Sequence, residues 1–231
     1  MATTTGTTEF IYLTFNPSVR PEDVDNDEGK LFMDAYNAVA QQDDGYLSSC
    51  WGRTVEDENK IVWAIDRSTT PTTTSTTALL PSLTPLLAPS TKPQTYLLAV
   101  SEPITQTILL QSRVIELVVL ALPATLSPTE KSNVTNSVTA LSDALLSLST
   151  SRCVAAQSVT PAWAIEPASV PHVDSPSGTA VLKALIVGWE SKEAHERARE
   201  TEAFKRTIMP IREVVLKGVE GLEMRHVRFQ E

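Results

Sequence analysis

Apolar and polar residues follow two different periods along the first part of the chain. Residues 9–15 are rich in aromatic and β-prone side chains and predict a strand that ends at Asn16-Pro17. Residues 29–43 carry apolar side chains at the spacing of one helical face, which predicts an amphipathic helix. The apolar positions of this helix are Leu31, Phe32, Ala35 and Val39.

A β-hairpin is the next predicted element. Residues 46–55 and 60–67 flank a short polar turn. In the second of these segments Ile61, Trp63 and Ile65 alternate onto one face, which is the period of a strand. The two segments are therefore predicted to pair with each other.

Residues 68–93 differ in composition from the segments around them. Threonine, serine and proline dominate, a composition that buries little surface and resists regular structure. The leucines in this segment predict at most a short helix that Pro81 and Pro85 interrupt. A strand over residues 104–111 is predicted to close the first half of the chain.

The second half begins with an apolar run of strand length. Residues 114–122 predict a well-buried strand that ends at Pro123. Ser127 and Glu130 then have the spacing of a capping box around Pro128, which predicts the start of a helix. One apolar stripe follows at helical spacing: Val134, Val138, Leu141, Leu145 and Leu148.

Two more strands, a helix and a final strand complete the second half. Residues 153–166 and 179–190 predict strands separated by a loop that contains proline and glycine. Residues 191–208 predict a charged helix that Pro210 kinks or ends. Residues 222–229 predict the last strand, and its charged side chains fall on both faces, so one face is expected to meet solvent or a pocket.

The order strand, helix, strand, strand, helix, strand therefore occurs twice. It predicts an α+β fold of two tandem ferredoxin-like βαββαβ units, residues 1–113 and residues 114–231, with the insertion at 68–93 in place of one helix. Each unit carries its helices on one face of a sheet and leaves the other face apolar. Burying these open faces against each other predicts an intramolecular, pseudo-dimeric α+β barrel.

The charge of the chain excludes some partners. The formal net charge is −9, and both halves are acidic, with 7 basic against 14 acidic residues up to Arg113 and 12 against 14 after it. Neither half has the lysine and arginine clusters that bind nucleic acid or an anionic membrane surface. No apolar run approaches the roughly 20 residues that span a bilayer, and no secretory signal is evident. Two cysteines, Cys50 and Cys153, do not make a disulfide framework, so a cytoplasmic location is expected.

Two histidines are the candidates for proton transfer. His195 lies beside the apolar stripe near the start of a helix, where a neutral imidazole is favoured. His226 shares a strand face with Met224 and Arg228. Either histidine could line a pocket as an acid or base, or could lie on the surface or at a rim without a chemical role. His172 lies in the proline-rich loop and is predicted to be exposed.

Aromatic residues are the candidates for contact with a ligand. Trp63 and Trp189 lie on predicted strands, where a tryptophan either packs in the core or also touches a ligand. Tyr12 and Tyr46 could supply hydroxyls to a pocket or bond only to a backbone carbonyl. The spacing of the histidines predicts no metal site, and no phosphate-binding loop or nucleophile elbow is present.

One junction resembles a known family. Gly188-Trp189-Glu190-Ser191-Lys192-Glu193-Ala194-His195 is a strand that ends in tryptophan, then a serine, then a helix with histidine near its start. This resembles the antibiotic biosynthesis monooxygenase-like branch of the dimeric α+β barrel superfamily. The likeness is clearest over residues 179–231, weaker over residues 9–67, and otherwise one of element order. Two-unit versions similar to this chain are common among fungal proteins.

The resemblance implies a pocket for a small aromatic or polyketide-like molecule, and oxygenation or isomerisation without a dedicated protein-bound cofactor. Haem-degrading members use an asparagine, a tryptophan and a histidine within one unit. Here Asn16 and Trp63 belong to the first unit, and Trp189 and His195 to the second, so neither unit holds the full trio. The alternative is a non-catalytic barrel that binds a hydrophobic ligand or a protein partner. The barrel is expected to be complete in a monomer, and association of further copies stays open.

Overall fold

Eight strands form a closed antiparallel barrel in the computed structural model, which describes residues 6–23, 25–42, 45–68, 79–148 and 155–231. The barrel order is β5-β9-β2-β3-β1-β4-β6-β8, and β8 pairs with β5 to close it. The elements of the first half are β1 (Gly6–Thr14), α1 (Asp27–Gln42), β2 (Tyr46–Thr54), β3 (Lys60–Arg67) and β4 (Gln94–Val100). Those of the second half are β5 (Val114–Pro123), α2 (Pro128–Ser147), β6 (Ser158–Glu166), β7 (Val170–Pro171), β8 (Thr179–Trp189), α3 (Lys192–Arg199), α4 (Glu202–Arg212) and β9 (Arg225–Gln230).

The two halves contribute four-stranded sheets with corresponding strand orders, β2-β3-β1-β4 and β6-β8-β5-β9. The last strand of each half pairs with the second strand of the other, because β4 pairs with β6 and β9 pairs with β2. The α+β barrel of two ferredoxin-like units is therefore confirmed. Both joints are antiparallel, so no open sheet edge is left at either junction.

The barrel interior holds the shared core of the two halves. Alternate residues of each strand point inward, as the period of a strand requires. Phe10 and Tyr12 enter from β1, Leu117 from β5, Ile186 from β8 and Val227 from β9. This burial is the reason that neither sheet is left with an exposed apolar face.

Helices cover the outer face of each sheet. In the first half α1 and the 3₁₀ helix Leu80–Leu86 pack on the sheet, and Phe32 meets Trp51 and Trp63 edge to face. In the second half the predicted capping box is present, because Ser127 and Glu130 bond reciprocally at the start of α2. Val134, Val138, Leu141 and Leu145 of the predicted stripe are buried against the sheet. No described helix is both long and apolar enough to cross a membrane.

The predicted strand over residues 104–111 is wrong. The strand that closes the first half is β4, Gln94–Val100, which pairs with β1 along its whole length. Thr105–Leu109 forms a π-helical turn instead, and the Thr105 amide and hydroxyl both donate to buried Asp66 at 2.7 Å. Both segments are apolar and short, so their period could not decide which one pairs.

Other boundaries also need correction. The helix predicted over 191–208 is two helices, because Thr201 caps α4 by accepting a hydrogen bond from the Phe204 amide. Leu31 of the predicted buried face is 50% exposed. The short strand β7 lies in the predicted loop, and β9 begins three residues later than predicted. Residues 69–78 of the Thr-rich segment and Cys153 lie outside the described residues.

Candidate active site

A pocket lies between the second-half sheet and helices α2, α3 and α4. Its cavity volume is about 260 Å³. The walls are mainly aliphatic and aromatic, and Glu116, His195, Arg199 and Arg212 bring polar groups to it. The apolar lining is Val118, Leu120, Leu141, Leu145, Leu185, Val187, Trp189, Phe204, Ile208, Ile211, Val215 and Met224. An apolar cleft with a few convergent polar groups is the usual form of a small-molecule site.

Three adjacent strands present the polar end of this site. Glu116 on β5 is directly opposite His226 on β9. On the other side of β5, Trp189 ends β8. Helix α3 begins immediately after Trp189, and Ser191 caps it by accepting from the Ala194 amide, which places His195 in the first turn. The strand–serine–helix junction of residues 188–195 therefore places His195 over the second-half sheet.

Glu116 is a buried carboxyl group with two neighbours. The Trp189 indole N–H donates to Glu116 Oε2 at 2.9 Å, and His195 Nε2 lies 3.3 Å from Glu116 Oε1. Burial raises the pKa of Glu116 to about 7, although the Trp189 hydrogen bond and the charge of Arg199 act in the opposite direction. The carboxyl group can therefore gain and lose a proton near neutral pH.

The two candidate histidines are in contact. His195 Nδ1 lies 2.8 Å from His226 Nε2, and their rings are 5.0 Å apart. The side chain of His195 also lies against the Trp189 ring, 5.3 Å between centroids. His195 is 3% exposed and His226 is 1% exposed. The structure thus brings His195, His226 and Trp189 together in one buried cluster.

The first half supplies the last member of the cluster. Glu56, in the turn between β2 and β3, accepts from His226 Nδ1 at 2.7 Å and from the His226 amide at 3.0 Å. Lys192 lies 3.2 Å from the same carboxylate. Partial burial acts to raise the pKa of Glu56, but these hydrogen bonds outweigh it and lower the pKa to about 2.

His195 is held neutral. Burial lowers its pKa to about 3, and the neighbouring His226, Arg199 and Lys192 act in the same direction. A neutral imidazole has one N–H and one lone pair, so it can accept a proton at one ring nitrogen and donate a proton from the other. Contacts run without a break from Glu116 through His195 and His226 to Glu56. These four side chains are called here the carboxyl–histidine chain.

The corresponding place in the first half is built differently. Strand registers make Glu9 the counterpart of Glu116 and Arg67 the counterpart of Trp189, and Arg67 Nη1 lies 2.8 Å from Glu9 Oε2. An arginine favours the ionised form of a carboxyl group more strongly than an indole N–H does. The space above the sheet is filled by the aromatic group around Phe32.

The other predicted site residues lie elsewhere. Trp63 is buried in the first-half layer against Phe32, and the Tyr46 hydroxyl lies 3.1 Å from Ser49 Oγ in the same half. The Asn16 amide donates to the Pro85 carbonyl at 3.5 Å. Tyr12 points into the barrel, where its hydroxyl meets that of Tyr96 at 2.9 Å and Arg225 lies over its ring.

The predicted exposure of His172 is wrong. Its Nε2 lies 2.8 Å from the Lys217 carbonyl and its Nδ1 accepts from the Asp174 amide, so the loop folds around the ring. Cys50 is buried in the barrel, and burial raises the pKa of its thiol. Within the described parts of the chain, no group of three histidine, cysteine or acidic side chains is arranged to hold a metal ion.

Sequence reasoning missed four members of the site: Glu116, Glu56, Arg199 and Lys192. Glu116 had a signal, because it is the one charged residue in the apolar run of residues 114–122. Burying such a charge requires a partner. Glu56 had no comparable signal, since it lies in a polar turn of the other half and reaches the site only after β9 pairs with β2.

Solved structures share this fold at low sequence identity. A protein described as anthrone oxidase-like matches with a TM-score of 0.65 and 13% identity, over 99% of this chain and 92% of its own. A provisionally assigned monooxygenase from Fusobacterium nucleatum matches with a TM-score of 0.57 and 6% identity, over 98% and 93%. A mutant chlorite dismutase from Candidatus Nitrospira defluvii matches with a TM-score of 0.56 and 10% identity, over 98% and 92%.

These likenesses show the class of fold alone, the closed α+β barrel described above. No protein-family model matches the sequence. A search of curated proteins also finds no match. A shared fold does not define a reaction, so the function is argued from the site.

Proposed function

We propose that this chain is an enzyme that removes a proton from a small aromatic or polyketide-like molecule and so prepares it for oxygenation or isomerisation. The observation that carries the proposal is Glu116, a buried carboxyl group with a pKa near 7 at the wall of an apolar pocket. A base is most effective when its pKa lies near the working pH.

The pocket suits a small, flat substrate. Its volume of about 260 Å³ lies just below the range of roughly 300–1,000 Å³ found for drug-sized ligands. Aliphatic walls from α2 and β8 would hold an aromatic ring system, and Glu116 and His195 would face a polar edge of it. Arg199 and Arg212 line the same cavity and would favour the anion that forms when the substrate loses a proton.

An aromatic ketone with an acidic methylene group, such as anthrone, illustrates the reaction. Glu116 takes one methylene proton, and the electron pair stays on the substrate as a carbanion stabilised by the rings. Oxygen, the co-reactant, adds to this carbon to give a peroxide anion. The peroxide regains a proton and loses water, which leaves a second ketone, so one substrate and one O₂ give one quinone and one water. His195 relays protons between Glu116 and His226 during these steps.

The sequence resemblance and the fold neighbours support the same class of reaction. We propose that the chain is a fused, fungal-type, two-unit version of the antibiotic biosynthesis monooxygenase-like branch, in which one chain supplies both halves. The anthrone oxidase-like neighbour makes anthrone the first substrate to test. No protein-bound cofactor enters the proposed reaction.

The test is oxygen uptake and product formation with anthrone and related phenolic ketones. Product is followed by mass spectrometry for the wild type and His195→Ala, and circular dichroism checks that each variant is folded. Loss of the proton carrier should lower kcat/KM by about 100-fold or more. Glu196→Ala, on the exposed side of the same helix, is the matched control and should behave as the wild type.

Two results would contradict parts of the proposal. Equal product from the wild type and His195→Ala would remove His195 from the mechanism. Quenching of tryptophan fluorescence by the compounds without any turnover would favour the rival function, a barrel that only binds a hydrophobic ligand.

A further inference from the structure

The carboxyl–histidine chain crosses from one half of the barrel to the other. Glu116, His195 and His226 belong to the second half, whereas Glu56 belongs to the β2–β3 turn of the first half. The contact depends on the pairing of β2 with β9, and the Val55 amide donates to the His226 carbonyl at 2.7 Å beside it. The pocket of one half is therefore linked to a carboxylate of the other.

The close contacts in this chain limit where its protons can lie. The gaps of 3.3, 2.8 and 2.7 Å join Glu116 to His195, His195 to His226, and His226 to Glu56. Two lone pairs at 2.8 or 2.7 Å repel each other, so a hydrogen must lie in each of these two gaps, and we place a third hydrogen in the longer contact between Glu116 and His195. Three protons can occupy the three gaps in two arrangements that leave Glu56 ionised and His195 neutral.

In the first arrangement Glu116 is a neutral acid, and both histidines are neutral with hydrogen on Nδ1. In the second, the Glu116 proton has moved to His195 Nε2 as the Nδ1 proton of His195 moved to His226 Nε2. Glu116 is then a carboxylate and His226 is an imidazolium ion. No proton enters or leaves the chain in this change, and no bond other than N–H and O–H is altered.

We propose that Glu56 is the positioning residue that allows Glu116 to ionise inside the pocket, because its carboxylate stabilises the proton that has moved to His226. This inference rests on the proposed function, in which Glu116 is the base. The ionised arrangement places a base at the substrate and its compensating positive charge two hydrogen bonds away.

Other charges face the chain and set its balance. Arg199 and Arg212 line the pocket, and the charge of Arg199 favours the carboxylate form of Glu116. Lys192, at the start of α3, lies 3.2 Å from Glu56 and disfavours a second positive charge on His226. Glu56 accepts one hydrogen bond from the His226 ring and one from the His226 amide, so its carboxylate lies directly against that ring.

The test compares Glu56→Gln with Glu58→Gln, the same chemical change at an exposed position of the same turn. Wild-type kcat/KM should fall less than tenfold between pH 8 and pH 6, because internal transfer ionises Glu116 below its pKa without loss of a proton to solvent. In Glu56→Gln, Glu116 must lose its proton to solvent, so kcat/KM should fall at least tenfold at pH 6 and recover above pH 8. Glu58→Gln should keep the wild-type profile, and Glu56→Asp, which keeps the charge, should restore most of the activity at pH 6.

A second readout does not depend on any substrate. In ¹⁵N-histidine NMR spectra at pH 7, Glu56→Gln should move the His226 Nε2 resonance toward the value of an unprotonated nitrogen, and Glu58→Gln should not. Unchanged His226 resonances, or an unchanged pH profile in Glu56→Gln, would overturn the inference. A shifted resonance in a protein that turns over none of the substrates would instead leave this coupling intact and reject the proposed function.

Discussion

Glu116 shows how one residue in a strand can define a site. Its strand neighbours pack into the barrel or against α2, and its own side chain lies at the polar end of the pocket. In the first half the corresponding Glu9 is paired with Arg67, whereas Glu116 meets the neutral indole of Trp189. Burial raises the pKa of Glu116 to about 7, and an indole N–H opposes this rise less than a paired cation would.

The pKa of Glu116 predicts a pH-dependent stability. A carboxyl group whose pKa rises from 4.5 to about 7 on folding stabilises the native state below pH 4.5, and this contribution is lost as pH rises through 7. Glu116→Gln keeps the shape and the Trp189 hydrogen bond but cannot ionise. The variant should therefore gain stability relative to the wild type as pH rises. The difference in free energy of unfolding, variant minus wild type, should be about 3 kcal/mol larger at pH 8 than at pH 4.5.

Urea unfolding of both proteins at the two pH values measures this difference. His195 has a lowered pKa, so it reduces the stability of the folded state as pH falls below 6.5. Both proteins contain His195, so its contribution largely cancels when their free energies of unfolding are compared. A difference between the two proteins that does not change with pH would show that Glu116 does not titrate in the folded state as described.

Residue types revealed part of the site in advance. Trp189, His195 and His226 were candidates because an imidazole can transfer a proton near neutral pH and an indole on a strand can touch a ligand as well as pack in the core. Their meeting could not be predicted, since it depends on the register that sets Glu116 opposite His226. Trp63 looked equivalent to Trp189 in sequence, but Phe32 and Tyr36 pack against its ring.

At the scale of elements, the prediction succeeded where a local signal was complete. The capping box at Ser127 and the stripe of α2 specify both the start and the buried face of that helix. The choice between residues 94–100 and 104–111 as a strand had no such signal. Pairing with β1 on one side and β6 on the other decided it, and both partners are distant in sequence.

Helix α2 provides a test of how the pocket wall contributes to stability. Leu145 is buried and lines the pocket, whereas the adjacent Leu146 is 42% exposed. Leu145→Ala should lower the free energy of unfolding by about 2–4 kcal/mol because it removes buried methyl groups and leaves space. Leu146→Ala should change it by less than about 0.5 kcal/mol.

Urea denaturation of the two variants gives these values. Leu145→Ala should also enlarge the pocket and improve binding of bulkier aromatic ketones relative to anthrone. Equal destabilisation by the two substitutions would contradict the assignment of Leu145 to the packed wall of the pocket.

At the scale of the whole molecule, barrel closure couples the two halves. The requirement that each open sheet face be covered predicted this closure, and the interior residues from β1, β5, β8 and β9 meet as expected. The sequence could not predict the register in which β9 pairs with β2, a strand of the other half. That pairing brings Glu56 to His226, so the pocket of the second half is linked through the histidines to a carboxylate from the first.

The most direct test of the account is proton removal from the substrate itself. Anthrone is incubated with the protein in D₂O without oxygen, and loss of its methylene ¹H signal is followed by NMR against a buffer blank. Oxidation cannot occur, so only the transfer to Glu116 is measured. The wild type should accelerate this exchange and folded Glu116→Gln should not; exchange at the same rate in the blank, the wild type and the variant would show that Glu116 does not remove the proton.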